Sequence, residues 1–200
     1  FDDNVIDRII NEIKIVKDNG TQVTLVVGGG NFWRGRSASD EMDRTKADSV
    51  GMLATVMNGI YLTESFRKVG INAVVMTPFE IGTMTIHYSR DLANEYLEKG
   101  YVIIFAGGVG HPFFSTDTIA SLRSAELSCD IILYAKNIDG IYNDNPSKNP
   151  NAKKFDIISY REIIDNDLQA IDLTAMCLCN DNKIPAIVFD LNTPNSIVIS

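Results

Sequence analysis

The sequence predicts an α/β protein, a three-layer αβα sandwich around a mostly parallel central sheet. Three observations carry this. Short β-branched and aromatic runs alternate with helical stretches almost throughout the 200 residues. Several of these runs are continuously apolar, as strands are when helices cover both faces of their sheet. Two of them lead straight into glycine-rich loops, at the strand ends where open α/β sheets bind ligands.

Taken in order, Asp2, Asp3 and Asn4 are candidate helix caps. After them Ile6, Ile9, Ile10, Ile13 and Val16 recur at three- and four-residue spacing, which predicts an amphipathic helix ended by Asn19-Gly20. Residues 22–27 (QVTLVV) read as a buried strand, followed at once by Gly28-Gly29-Gly30-Asn31. Residues 37–48 read as a polar loop or an irregular helix start, and 50–66 as a long helix. That helix is apolar over more than one face, so it is expected to be buried on two sides or to meet another subunit.

Residues 71–76 (INAVVM) are the next strand, Ser89 or Asp91 opens a helix that Lys99-Gly100 ends, and 101–106 (YVIIFA) is a third strand. Gly107-Gly108-Val109-Gly110 follows it, and Thr116 or Asp117 is expected to cap a helix to about Ser128. Residues 130–135 (DIILYA) form a fourth strand, 136–154 a loop and 155–159 a short strand. Helices fit 160–165 and 172–181, and 185–190 (PAIVFD) is the last strand. No internal repeat or linker breaks the chain, so 1–200 reads as one domain.

Composition narrows the function. The net charge is −8 and the pI about 4.7. A general nucleic-acid or membrane-surface binder is thereby excluded, whereas an anionic ligand held by a local site is not. No apolar run approaches the ~18–20 residues of a membrane span. Cys129, Cys177 and Cys179 have no histidine close by in sequence, so no zinc site is expected, and they read as small core residues of a reducing cytosol.

The chemistry concentrates in the glycine loops. Glycine lets the backbone approach a ligand and turn its N–H groups inward, and a helix N-terminus behind the loop favours an anion. Two such loops on one sheet edge suggest two phosphate-bearing ligands, or one ligand with two ends. Arg34, just after the first loop, presents a fork suited to phosphate. A Rossmann fingerprint from Gly28 would need glycine where Trp33 stands, and the chain has neither a Walker A loop nor a protein-kinase catalytic loop. His111 lies in a ligand-facing loop, whereas His87 reads as a structural histidine. Tyr142 could stack on a planar base; Asp139 could order its loop or face a metal-bound phosphate, and a plain Asp-Gly turn has similar weight.

GGGNFWRG (28–35), DSVGMLATVMNG (48–59), PFFSTD (112–117), NIDGIY (137–142) and the helix at Asp172 together resemble the bacterial uridylate kinases (UMP kinases) of the amino acid kinase superfamily. The resemblance is collinear over nearly the whole chain. It implies an amino acid kinase-like fold and transfer of the ATP γ-phosphoryl group to UMP, giving UDP and ADP in pyrimidine nucleotide synthesis. Gly29, Asp48, Val109, Gly110, His111, Pro112, Phe113, Phe114, Ser115 and Thr116 would form the UMP site, with Asp48 accepting from the ribose hydroxyls. Gly30, Arg34, Lys136, Tyr142 and Asn145 would hold ATP. Arg34, Asp117 and Asp139 would serve the transferring phosphates, with Mg²⁺ bound mainly through ATP and no dedicated metal site.

The implied reaction is a direct in-line transfer to an acceptor phosphate already ionised at neutral pH, so positioning and charge neutralisation suffice without a strong base. The resemblance further implies a cytoplasmic homohexamer activated by GTP and inhibited by UTP, with no nucleic-acid or membrane partner. The family's Lys-Leu-Ser-Gly segment, which carries its principal catalytic lysine, has no counterpart in these 200 residues. A first N-terminal and a last C-terminal strand are therefore expected to be missing. Lys136 stands where many members have Thr, Asn145 where many have Asp, and Val109 where Thr is common. The rival readings are a relative phosphorylating a small carboxylate and a non-catalytic storage protein on the same fold.

Overall fold

The structure, a computed structural model, describes residues 1–33, 42–168 and 170–200. The chain divides within one helix into two compact units, Phe1–Ile119 and Ala120–Ser200.

The first unit is built on a four-stranded sheet of β1 (Thr24–Val26), β2 (Ala73–Thr77), β3 (Ile86–His87) and β4 (Val102–Phe105), in the order β1-β4-β2-β3. Every pairing in it is parallel. All residues of β2 and β4 are buried, so both faces of the sheet's centre are covered, as the unbroken apolar runs predict. Four helices accompany the strands: α1 (Asp3–Asp18), α2 (Arg44–Lys68), α3 (Arg90–Glu98) and α4 (Thr116–Leu127), the last running across the boundary between the units. Helix α2 packs on β2 and β4, α1 on α2, and α3 on β4. Asp2 caps α1 by accepting from the amides of Asn4 and Val5, and Ser89 caps α3 by accepting from Leu92.

The second unit pairs β5 (Ile132–Lys136) with β6 (Ala186–Asp190), again in parallel. Around them lie α5 (Tyr160–Asp165), α6 (Leu173–Asn182) and a short α7 (Ser196–Ile199). Its core gathers Ile132, Tyr134, Ile163, Ala175, Cys179 and Val188. A small polar network is sealed inside. The Ser121 and Tyr134 hydroxyls are 2.7 Å apart, and the Cys179 thiol donates to Ser121 Oγ at 3.2 Å. Ser159 and Glu162 form a reciprocal capping box on α5, and Asp172 caps α6 through the Ala175 amide.

Several expectations are corrected. Helix α2 starts at Arg44, well before residue 50, because Asp43 caps it through the amides of Thr45 and Lys46. Of the two alternatives for its second apolar face, burial within the described residues is not the one found, since Val50, Leu53 and Met57 are exposed there. Ser115, rather than Thr116 or Asp117, caps α4 by accepting from the Thr118 amide at 3.1 Å. Residues 155–159 form no strand; there is only an isolated bridge between Tyr142 and Lys154. Of the three cysteines only Cys179 is core, Cys129 being half-buried and Cys177 exposed. His87, read as a structural histidine, lies exposed on the edge strand β3.

Candidate active site

The register pairs Val26 with Phe105, so the loops leaving β1 and β4 start side by side at the C-terminal edge of the first unit's sheet. Both are glycine-rich for reasons the geometry supplies. A Cβ on Gly29 would lie 2.7 Å from the Gly51 carbonyl oxygen and 2.9 Å from the Ala54 Cβ, so the first loop rests directly on the backbone of α2. In the second loop Gly107, Gly108 and Gly110 all have φ between 64° and 82°, a region side chains disfavour.

Helix α2 fastens both loops from successive turns. Asn58, buried in an otherwise apolar stretch, donates to the Gly28 carbonyl at 2.7 Å and exchanges hydrogen bonds with the Asn31 side chain at 2.7 and 3.0 Å. One turn earlier the Thr55 hydroxyl accepts from the Gly107 amide at 2.7 Å. Two turns earlier again, Asp48 Oδ2 accepts from the Phe113 amide at 2.8 Å. The same carboxylate receives Arg44 Nε at 2.9 and 3.0 Å. Trp33 closes the first loop by donating from Nε1 to the Ala47 carbonyl at 2.9 Å.

The predicted acceptor-site residues therefore converge in the first unit. Asp48 is bonded to Phe113. Gly29 lies on α2, and Gly28 lies beside the Thr116 hydroxyl, which a Cβ would meet at 3.4 Å. Gly30 is exposed in the turn of the first loop. In the second loop Val109 and Gly110 are partly exposed and His111 is exposed, followed by half-buried Pro112. Phe113 and Phe114 are large exposed aromatics, and Phe113 has φ 72°. Ser115 spends its hydroxyl on the α4 cap, and Asp117 sits in the first turn of that helix. Arg34 lies outside the described residues.

In the second unit the predicted donor-side residues follow β5. Lys136 ends the strand, its ammonium 5.8 Å from the Tyr134 ring centroid. Asp139 and Tyr142 are joined, Tyr142 donating to Oδ1 at 2.8 Å, while Lys154 Nζ reaches Oδ2 at 3.1 Å. The Tyr142 hydroxyl, with Lys154 after it, holds the Asp139 carboxyl below the usual carboxylate range. Asp139 in turn raises Tyr142 above the ordinary phenol value. At Gly140 the flexible Lys154 stem crosses where a Cβ would stand. The exposed Asn145 side chain accepts from the Ser147 amide at 2.9 Å, an Asx turn.

Arg44 and Lys154 escaped the sequence reading, and Thr55 and Asn58 lay within the segment 48–59 without an assigned role. Thr55 and Asn58 carried a signal, as polar residues three apart within an apolar helix. Among the described residues no group of three or more His, Cys, Asp or Glu could hold a metal ion, and no helix is long and apolar enough to cross a membrane.

Glycine loops at the carboxyl edge of a parallel sheet are where α/β proteins bind phosphate-bearing ligands. The sequence profile of the amino acid kinase family matches residues 2–190, and the chain belongs to that family. Among solved structures it is similar to the UMP kinase from Ureaplasma parvum, with 36% identity and a TM-score of 0.92 over 96% of this chain and 83% of that one. It is similar to the UMP kinase from Bacillus anthracis, with 34% identity and a TM-score of 0.94 over 97% and 81%. The uridylate kinase from Archaeoglobus fulgidus matches at 25% identity and a TM-score of 0.76 over 96% and 86%.

Proposed function

We propose that the chain is a UMP kinase, passing the γ-phosphoryl group of ATP to UMP to give UDP and ADP. The observation that carries this reading is the bond from the Phe113 amide to Asp48. It joins the two most distinctive segments, DSVGMLATVMNG and PFFSTD, at one point beside the glycine loops. The likeness to the two bacterial UMP kinases supports it.

In this reading UMP is held by the first unit. Asp48 keeps acceptor capacity beyond its two protein partners, since a carboxylate offers about four lone-pair sites, and receives the ribose hydroxyls. Gly29 and residues 109–116 surround the uridine and its phosphate. ATP is held by Gly30, Arg34, Lys136, Tyr142 and Asn145, with the Tyr142 ring kept in place by Asp139 for stacking. Asp139, largely exposed, and Asp117 are the carboxylates that would face a Mg²⁺ carried by the ATP phosphates, and such an ion would supply charge neutralisation at the transferring group. Arg34 neutralises charge on the equatorial oxygens. The acceptor oxygen is ionised beforehand, so the chain's work is alignment and charge compensation.

The same reading includes a cytoplasmic homohexamer, GTP activation and UTP inhibition. The exposed Val50, Leu53 and Met57 row on α2 supports a subunit contact. The central test is ADP release measured with UMP, CMP, AMP and glutamate as acceptors. UMP-dependent turnover is expected; its absence in the full-length protein rejects the reading, and glutamate-dependent turnover points to the carboxylate-phosphorylating branch.

A further inference from the structure

We propose that Arg44 is a positioning residue of the acceptor-nucleotide site, acting through Asp48 and Phe113; this rests on the UMP kinase reading. Two departures from ordinary local preference meet at one contact. Arg44 is the first residue of α2, where the helix dipole disfavours a cation. Phe113 is a non-glycine residue at φ 72° and is 64% exposed, so no core packing explains either the strain or the side chain. What they share is each other and Asp48. Arg44 Nε donates to both oxygens of Asp48, and its Cζ lies 5.4 Å from the centroid of the Phe113 ring. The Phe113 amide donates to Oδ2 of the same carboxylate.

Each bond limits the others. The ion pair at i and i+4 selects one rotamer of Asp48. That rotamer offers Oδ2 to the Phe113 amide, and the bond holds residue 113 in its left-handed conformation. The guanidinium lies over the Phe113 ring and restrains it from the other side. Local preferences broken without a packing gain are expected where a chain serves a site. Arg44 needs no contact with the nucleotide to act: it sets where Asp48 and the segment after it stand when the nucleotide arrives.

The test compares Arg44→Gln and Arg44→Lys in the full-length protein. Arg44→Gln is expected to raise KM for UMP about tenfold, the scale of one charge-assisted hydrogen bond, with KM for ATP and kcat within twofold. Arg44→Lys, which keeps the charge but not the planar fork, is expected to recover part of the loss. Amide hydrogen exchange at Phe113, measured without nucleotide, is expected to quicken in Arg44→Gln. Unchanged exchange at Phe113 overturns the proposal, as does a KM for UMP unchanged in both variants. Equal rises in both KM values with a fall in kcat also overturn it, since they mark a merely structural role. If wild-type protein turns over no UMP, the functional reading falls by itself, while exchange at Phe113 still decides the Arg44 contact.

Discussion

Asn31 and Asn58 face each other as a reciprocal amide pair, each side chain donating to and accepting from the other. Because Asn58 also donates to the Gly28 carbonyl, one buried residue of α2 fixes both ends of the first glycine loop. Asn58→Ala leaves that carbonyl and the Asn31 amide without these partners. It is expected to cost about 2 kcal/mol in urea unfolding and to weaken nucleotide binding. In a double-mutant cycle with Asn31→Ala, a coupling of about 1 kcal/mol is expected. Additive losses would mean that the pair does not act as a unit.

Neighbouring glycines of the same loop should respond oppositely to a methyl group. At Gly29 the added carbon meets Gly51 backbone and the Ala54 Cβ below 3.0 Å, and neither can swing away. Loop or helix must shift, and displacements of about 1 Å near a reacting group can lower rates ~100-fold. At Gly28 the nearest atom is Thr116 Oγ1 at 3.4 Å, an ordinary contact. Gly29→Ala is therefore expected to lose both melting temperature and more than tenfold in kcat/KM, and Gly28→Ala to retain its melting temperature. Equal behaviour in thermal denaturation would contradict the close approach of α2 to the loop.

These contacts also mark how far the amino-acid sequence can be read. Strands whose residues are all buried, such as β2 and β4, announce themselves as apolar runs, and caps such as Asp2, Ser89 and Asp172 stand directly before their helices. Strand β3 has two residues and exists through its pairing with β2, so no local pattern marks it. The opening of α2 is hidden because its first turns are charged, and one acidic residue, Asp43, decides the boundary. At the site, Asp48, the glycines and PFFSTD were legible as motifs. Their partners were not: Arg44 looks like any surface cation, and Lys154 reaches Asp139 across fifteen residues of loop. Motifs mark the candidate ligand-facing residues, while the residues that hold them in place appear once the chain is folded.

Asp48→Asn tests the proposed separation of the acceptor site from the donor site. The amide can still accept from the Phe113 N–H, but it loses the ion pair with Arg44 and offers less acceptor strength to a hydroxyl. KM for UMP is expected to rise about tenfold and KM for ATP much less, in steady-state assays varying each substrate. A matched rise in both would remove Asp48 from the ribose.

The Asp139–Tyr142–Lys154 cluster makes a prediction about pH. Asp139 is held below the usual carboxylate range, first by Tyr142 and then by Lys154. A lowered carboxylate contributes stability above its unfolded value of about 3.9 and loses it as the pH falls through the folded value. Tyr142 is raised by the Asp139 hydrogen bond, so its contribution is complete below the unfolded value of about 10 and is lost as the pH rises through the folded one. The clasp is thus whole between about pH 4 and pH 10. Asp139→Asn removes the charge that opposes phenolate formation, so ultraviolet titration should show one tyrosine ionising at lower pH than in wild type. Tyr142→Phe should abolish that difference. Because the clasp orients the ring proposed to stack on the ATP base, Asp139→Asn should also raise KM for ATP more than KM for UMP. A tyrosine titration unchanged by Asp139→Asn would show that the hydroxyl is not held by the carboxylate in solution, and the assignment of Tyr142 to an ordered donor site would fall with it.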